Sequence, residues 1–347
     1  MTAVTELSSA PTLQQQAPTL LSHLAGYVGH RTVAIGLRSG LLAHLAATPD
    51  GATPDDLAEH LDLDPFYVSV WCRAAFAAGV CDRDGDTYRL APHMDTLLLD
   101  RSSPAFVGGV FTVLEQDEVF DRFERTLASG DRMWWNDTSA EWISGVAETG
   151  GAFYVRLVPN GLAQVPGLAD RLAAGGHIVD TACGAGGGVV RLAEAYPNSR
   201  ITGVDGDAYS VEQARRVVAE RGLSDRVTLV HSPLEDLRLD EPATALINNI
   251  SMHECRDIHR ATDRMRAALE PGGWLIISDF PFPDTDDGLR SVPGRIMSGI
   301  QFFEAQIDDQ LLPRAYYDEL LRAHGFVDIG SVSLTPMHAL TYGRVTG

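Results

Sequence analysis

The sequence predicts an α/β chain, in which a C-terminal half built on a mostly parallel sheet follows a mainly helical half of winged-helix outline. Three observations carry this prediction. After Gly176, short apolar runs alternate with helical segments, the pattern of a parallel sheet covered on both faces. The first of these runs passes straight into a glycine-rich turn and a helix. Before residue 100, helical periodicities are followed by a single hairpin signal.

Residues 1–18 are Ser/Thr/Gln/Pro-rich, without the basic and apolar regions of a signal peptide, and read as a flexible tail. Residues 19–100 form the helical, winged-helix-like part. Leu20, Leu21, Leu24, Val28, Val33, Leu37, Leu41 and Leu45 recur at helical spacing, and Gly26, Gly29, Gly36 and Gly40 mark bends or breaks. Thr53, Pro54 and Asp56 are the start signals of a helix, and a second helix is expected over 65–78. The stretch 80–90 reads as a hairpin turning at Asp84-Gly85. A winged helix suggests DNA binding. Residues 1–110, however, hold twelve Asp/Glu against six Arg, and a recognition helix needs a basic face, so a dimerisation module or lid is the better reading. Residues 101–170 form a helical connector and substrate lid, rich in large aromatics that serve as core or wall a pocket.

Residues 171–347 form the α/β domain. Strands are expected over 177–181, 200–205, 227–231, 245–249 and 274–279, and helices near 188–195, 210–220 and 258–269. Ser210 with Gln213 gives a capping box for the second helix. Glu270-Pro271-Gly272-Gly273 is the turn that launches the strand from Trp274.

At 347 residues and 45% apolar composition, the chain can bury two unequal cores. Its formal net charge is −20, and all 27 basic side chains are arginine. Such an acidic body repels phosphate backbones and anionic lipid, so a small-molecule substrate is expected, with no nucleic acid and no membrane as partner. Cys72, Cys81, Cys183 and Cys255 form no C-x-x-C pair and fit a reducing cytoplasm. No apolar run approaches the roughly 20 residues of a membrane span.

The most informative segment runs from His177 through Asp180, Thr181, Ala182, Cys183, Gly184, Ala185 and Gly186 to Gly188. Glycines there let a ligand approach bare backbone at the carboxyl ends of parallel strands. Nineteen residues after Gly186, the next strand ends in Asp205, a carboxylate placed to accept both hydroxyls of a ribose. A dinucleotide fingerprint would need glycine at position 189, which is Val189. Asp180, just before the turn, suits the cationic amino-acid end of S-adenosylmethionine better than a pyrophosphate.

The stretch from Val179 to Gly186 resembles the first motif of class I S-adenosylmethionine-dependent methyltransferases, D-x-G-x-G-x-G, and Val204-Asp205 resembles their acidic second motif. Leu269-Glu270-Pro271-Gly272-Gly273 is similar to the turn before their fifth strand. With the helical first half, the layout resembles the two-domain, dimeric small-molecule methyltransferases of secondary metabolism, the O-methyltransferases among them. The resemblance implies a Rossmann-like sheet of seven strands, the cofactor S-adenosyl-L-methionine, and a homodimer formed through the N-terminal helices. It carries the cofactor to Asp180, Ala182, Cys183, Gly184, Gly186, Asp205, Gly206, Ser232, Pro233 and Asn248. Two positions depart from the pattern. Ala182 replaces the first glycine, and Pro233 stands where many relatives have an aspartate near the adenine, with Glu235 or Asp236 as substitutes.

Asn248-Asn249-Ile250-Ser251-Met252-His253-Glu254 resembles the L-H-D-W-x-D segment of the O-methyltransferases, which makes His253 the general base and Glu254 the counterpart of their aspartate. An imidazole of near-neutral pKa suits that role. Trp135, Phe153, Tyr154, Met252, Phe280 and Phe302 are candidate pocket residues, with Met297 and Phe303 beside them. No metal is expected: His253, Glu254 and His259 show neither an i,i+4 histidine pair nor a facial triad. Three functions follow in order. The first is methyl transfer to a small acceptor, the second is a methyltransferase fold turned to a non-methylating reaction such as cyclisation, and the third is a winged-helix, ligand-sensing transcription regulator.

Overall fold

The computed structural model describes residues 10–347, which fall into two compact units. One contains the described residues up to Asp100 together with Phe106–Phe111; the other contains Arg101–Ala105 and Thr112–Gly347.

In the first unit a long helix, Leu13–Arg38, is followed by shorter helices Leu41–Ala47, Pro54–Leu61 and Pro65–Ala77. The expected tail is too long by six residues. Thr12 and Gln15 form a reciprocal capping box that starts the helix at Leu13, ahead of Pro18; residues 1–9 lie outside the described residues. Gly26, Gly29 and Gly36 do not break this helix either. Gly36 is a packing glycine, since a β-carbon there would stand 2.5 Å from the Trp71 ring, and only Gly40, at φ +80°, marks a true break. Trp71 is buried and donates its indole N–H to the Thr32 carbonyl at 2.9 Å, which fixes the long helix to Pro65–Ala77. Strands β1 (Cys81–Asp84) and β2 (Thr87–Leu90) pair antiparallel. Their turn is Gly85-Asp86, one residue later than expected, because Asp84 is still paired with Thr87 and Gly85 takes the positive φ.

The second unit is built on seven further strands: β3 (His177–Asp180), β4 (Arg200–Asp205), β5 (Val227–His231), β6 (Ala243–Asn249), β7 (Leu269–Asp279), β8 (Val327–Thr335) and β9 (His338–Arg344). Their order is β5-β4-β3-β6-β7-β9-β8, parallel except for β9, which runs antiparallel to both neighbours. The Rossmann-like α/β architecture and the seven strands are as expected. β6 is buried at every position, as a strand covered on both faces must be. Glu270–Gly273 is absorbed into β7 as a bulge, with Ala243 opposite Leu269 and Ala245 opposite Trp274. Helix Ala208–Glu220 begins two residues before Ser210. Its cap is Asp207, whose carboxylate accepts the Ser210 N–H at 2.7 Å, so the Ser210–Gln213 capping box does not form.

Two apolar layers cover the sheet. One is centred on Ile178, Leu192, Ile201 and Ile247, the other on Val179, Leu246, Leu275 and Leu321, all fully buried. Burial of each such side chain contributes about 1.5–3 kcal/mol. The connections place β4 and β5 on one side of β3 and β6 on the other. The carboxyl ends of β3 and β6 therefore flank the point where strand order reverses, the usual crevice for a ligand in such a sheet.

Candidate active site

At that crevice the backbone turns twice with positive φ, at Gly184 (+49°) and Gly186 (+89°), before helix Gly187–Ala195. A β-carbon on Gly186 would stand 2.8 Å from the Ala214 α-carbon, so the turn presses against the neighbouring helix, whereas one on Gly184 would meet nothing and faces open space. Asp205 closes the turn. Its Oδ2 accepts the Gly184 N–H at 2.8 Å and its Oδ1 accepts the Asp207 N–H at 2.9 Å. Each oxygen keeps a further lone pair for a diol. Burial holds the Asp205 carboxyl above its ordinary value, against the pull of these two N–H groups. Ser232 donates its backbone N–H to the Asp205 carbonyl, and a β-carbon on Gly206 would lie 3.8 Å from Pro233, so β4 and β5 end side by side. Cys183 is buried beneath the turn, Ala182 is partly exposed on it, and the exposed Pro233 forms the rim.

Asp180 is completely buried and receives the Tyr154 hydroxyl at 2.7 Å; burial pushes its carboxyl up to about 7. Tyr154 therefore belongs to the glycine-loop end of the site and not to the acceptor pocket expected for it. Its ring occupies the space that a β-carbon on Gly188 would need, 2.2 Å away. Asn248 is likewise buried. Its amide donates to Thr181 Oγ1 at 3.1 Å, and its Oδ1 has no partner.

A second cluster forms where β6 and β7 end. His253 is buried, with Nδ1 2.8 Å from Asp279 Oδ2; Asp279 also accepts the Tyr317 hydroxyl at 2.6 Å and the Phe280 N–H at 2.8 Å. The other ring nitrogen, Nε2, faces Glu254 Oε1 at 4.0 Å and Glu304 Oε2 at 3.7 Å, both too long for hydrogen bonds. Trp135 donates its indole N–H to Glu254 Oε2 at 3.2 Å, while Glu304 Oε2 is buried with no partner. Burial alone would lower the His253 pKa, yet the charges of Asp279 and Glu304 outweigh it and hold the imidazole well above its ordinary value. The imidazole is thus shifted upward from the near-neutral value expected from the sequence, by the carboxylates on both sides of the ring. Glu254 is raised well above the ordinary carboxylate range, first by burial and then by Glu304.

His253, Glu254 and Glu304 line a cavity of about 90 Å³, whose other walls include Trp135, Trp142, Ile250, Phe280 and Phe303. Ile250, β-branched, holds φ +49° at the end of β6, an outlier of the kind found at functional sites. A larger open depression of about 490 Å³ lies near Asp117, Arg122 and Arg132, but Asp117 and Arg132 are already paired, with Arg125 and Asp308, and no reactive set meets there.

Three pocket candidates are displaced. Met252 is fully buried in the apolar layer under β6 and does not line the cavity beside His253. Phe302 lies on the exposed side of helix Val292–Glu304 against Phe120 and Phe123, and its neighbour Phe303, one helical step round, faces the cavity through Trp135 and Trp142. Phe153 stands behind Phe280 at 4.9 Å, packed with Met297 and Leu311. Trp135 and Phe280 are where the sequence placed them. His259 pairs with His324 at 2.9 Å, away from His253. Glu304 was missed altogether. Its one signal is its spacing from Met297 and Ile300, which puts a carboxylate on an apolar helical face. His253, Glu254 and His259 do not come together, but Glu304 stands in a grouping absent from the sequence reading: His253, Glu254 and Glu304 bring ligand atoms within 4.8 Å of one another.

Residues 178–273 match the family described as "Methyltransferase domain". Over 103 residues the chain is 28% identical to a malonyl-[acyl-carrier protein] O-methyltransferase of Priestia megaterium, which covers 30% of this chain and 36% of that relative. The chain thus spans about a third of that curated relative's length. Among solved structures, an O-methyltransferase family protein from Burkholderia thailandensis superposes with a TM-score of 0.70 at 18% identity, covering 97% of this chain and 99% of that one. Human N-acetylserotonin methyltransferase in complex with SAM superposes with a TM-score of 0.70 at 14% identity, covering 98% of this chain and all of that one. The glycine turn and the carboxylate of β4 lie within the matched stretch: residues 178–273 match a methyltransferase domain, and the chain has the fold of the two-domain O-methyltransferases.

Proposed function

We propose that the protein transfers a methyl group from S-adenosyl-L-methionine to a small molecule of specialised metabolism. The observation that carries this is the Gly184–Asp205 pairing at the carboxyl ends of β3 and β4, where a carboxylate placed for a ribose meets bare backbone beside the strand-order reversal between β3 and β6. In this reading Asp205 grips the ribose, Gly206, Ser232 and Pro233 border the adenine, and Gly184 and Gly186 admit the sulfonium end. Asp180 and Asn248 lie beneath, with Asp180 as counter-charge to the ammonium, acting through Tyr154 and the loop.

Transfer is an in-line displacement. The acceptor's lone pair forms the new bond to the methyl carbon as the bond to sulfur breaks, leaving S-adenosylhomocysteine, and the acceptor's proton must leave. Alignment of two bound reactants can supply roughly 7–11 kcal/mol of the acceleration. We place proton removal at the His253–Glu254–Glu304 cluster as a whole, because His253 Nε2 faces both carboxylates at the cavity wall. Loss of such a base costs about 10²- to 10⁴-fold in turnover. Trp135 and Phe280 position the acceptor.

The test is calorimetry with S-adenosylmethionine and S-adenosylhomocysteine, followed by transfer of labelled methyl into the small-molecule fraction of an extract. Saturable binding and a labelled product are expected. Asp205→Asn should weaken cofactor binding by about 10- to 150-fold, the worth of a hydrogen bond of roughly 1.5–3 kcal/mol to a charged group. Binding without any labelled product would favour a repurposed fold. No binding of either compound, with salt-dependent binding to DNA instead, would favour the regulator.

A further inference from the structure

We infer that His253 Nε2, Glu254 and Glu304 are the protein ligands of a divalent first-row transition-metal ion in the wall of the cavity. Three independent features point to it.

The first is geometry. The three ligand atoms lie within 4.8 Å of one another, with Nε2 at 4.0 and 3.7 Å from the two carboxylates. Ligands about 2.0–2.2 Å from one ion stand roughly 3–4.4 Å apart, so a small side-chain adjustment closes the set. The second is an unsatisfied acceptor: Glu304 is only 5% exposed and its Oε2 makes no hydrogen bond, its neighbour His253 Nε2 standing 3.7 Å away, which in a buried carboxylate is costly unless a cation is drawn in between. The third is the support behind the ligands. Asp279 holds His253 through Nδ1 and is itself fixed by Tyr317, which leaves Nε2 directed at the cluster, the carboxylate–histidine arrangement that orients metal-bound imidazoles. Trp135 fixes the second oxygen of Glu254 in the same way.

The donor set also limits the ion. One imidazole and two carboxylates suit Mn²⁺, Fe²⁺, Co²⁺ or Zn²⁺, and no thiolate joins them, because the Cys255 thiol is turned to the Ser251 carbonyl. Neutral His253 with two glutamates balances a divalent charge. Three protein ligands leave coordination positions open toward the cavity. Resting on the methyl-transfer reading, an acceptor oxygen bound there enters as its oxyanion, its proton passing to water, and is held against the methyl donor.

The experiment needs neither cofactor nor turnover. Chelator-treated full-length protein is titrated with Co²⁺ alone, followed by equilibrium dialysis, visible absorption and proton NMR. One equivalent per chain, d–d bands and a paramagnetically shifted exchangeable proton from His253 Nδ1–H are expected. Glu304→Gln should weaken uptake by at least about 10- to 100-fold, and Tyr317→Phe, which only positions His253, by up to that amount. Retained cofactor binding in each variant certifies its fold. Should Glu304→Gln not fold, the shifted proton in the unaltered protein decides alone. Sub-stoichiometric uptake, uptake indifferent to Glu304, or a missing shifted proton would each overturn the inference, while leaving the methyl-transfer reading standing if S-adenosylmethionine still binds.

Discussion

Asp180 gives the glycine loop a pH signature. Its carboxyl has an ordinary pKa of 3.8 and is pushed up to about 7 by burial, with the Tyr154 hydroxyl only partly compensating. A folded-state value above the unfolded one means that the neutral acid is favoured in the native protein. Its contribution is therefore fully present below pH 3.8 and is lost as pH rises toward 7. Asp180→Asn removes that ionisation and keeps a polar group of the same shape. The difference in melting temperature between variant and parent should thus shift in favour of the variant from pH 4 to pH 7, by about 2–4 °C for each kcal/mol recovered. Thermal melts across that window check it; a constant difference would show that Asp180 does not titrate there. An ammonium brought near the loop favours the carboxylate, so cofactor binding around pH 6 should release a proton, readable as a dependence of calorimetric heat on the buffer's ionisation enthalpy.

The turn between β3 and helix Gly187–Ala195 couples stability to binding. Gly186 combines φ +89° with a β-carbon position 2.8–2.9 Å from Ala214, and both deny it a side chain. Gly186→Ala should cost about 1–3 kcal/mol of stability from backbone strain, and weaken cofactor binding as the loop shifts. Chemical denaturation together with calorimetry would measure both, and an unchanged midpoint would refute the account. This turn was legible in the sequence because its glycines, the preceding apolar strand and Asp205 are a local code spanning about thirty residues. The acceptor end was legible only in part. His253 and Glu254 sit at a strand end that sequence can locate, but Glu304 comes from a helix fifty residues later and Asp279 from the neighbouring strand, so their meeting is a product of topology. Phe302 and Phe303 differ by about 100° of helix rotation. An apolar stretch with aromatics on both sides does not reveal which of the two faces the cavity.

Across the chain as a whole, the α/β half was legible because periodicity changes at Gly176 and each strand is bounded by turn chemistry. Errors gathered in the helical half, where glycine carries two meanings. Gly36 is small to let Trp71 approach, and only Gly40 turns the chain. The long helix Leu13–Arg38 carries the last prediction. Leu20, Leu21, Leu24, Tyr27 and Val28 fall at i, i+1, i+4, i+7 and i+8, one helical face, and each is between 58% and 68% exposed. A contiguous exposed apolar face of this kind marks an interaction surface. We propose that a second copy covers it, giving a two-fold homodimer in which the same stripe meets itself. Light scattering at micromolar concentration should give twice the chain mass of 37.5 kDa. Leu24→Glu with Tyr27→Glu sets like charges against each other across the two-fold axis and should yield monomer. Because the stripe belongs to the first compact unit and the cofactor loop to the second, S-adenosylmethionine affinity should be retained in that variant. A monomeric mass for the unaltered chain would refute the dimer.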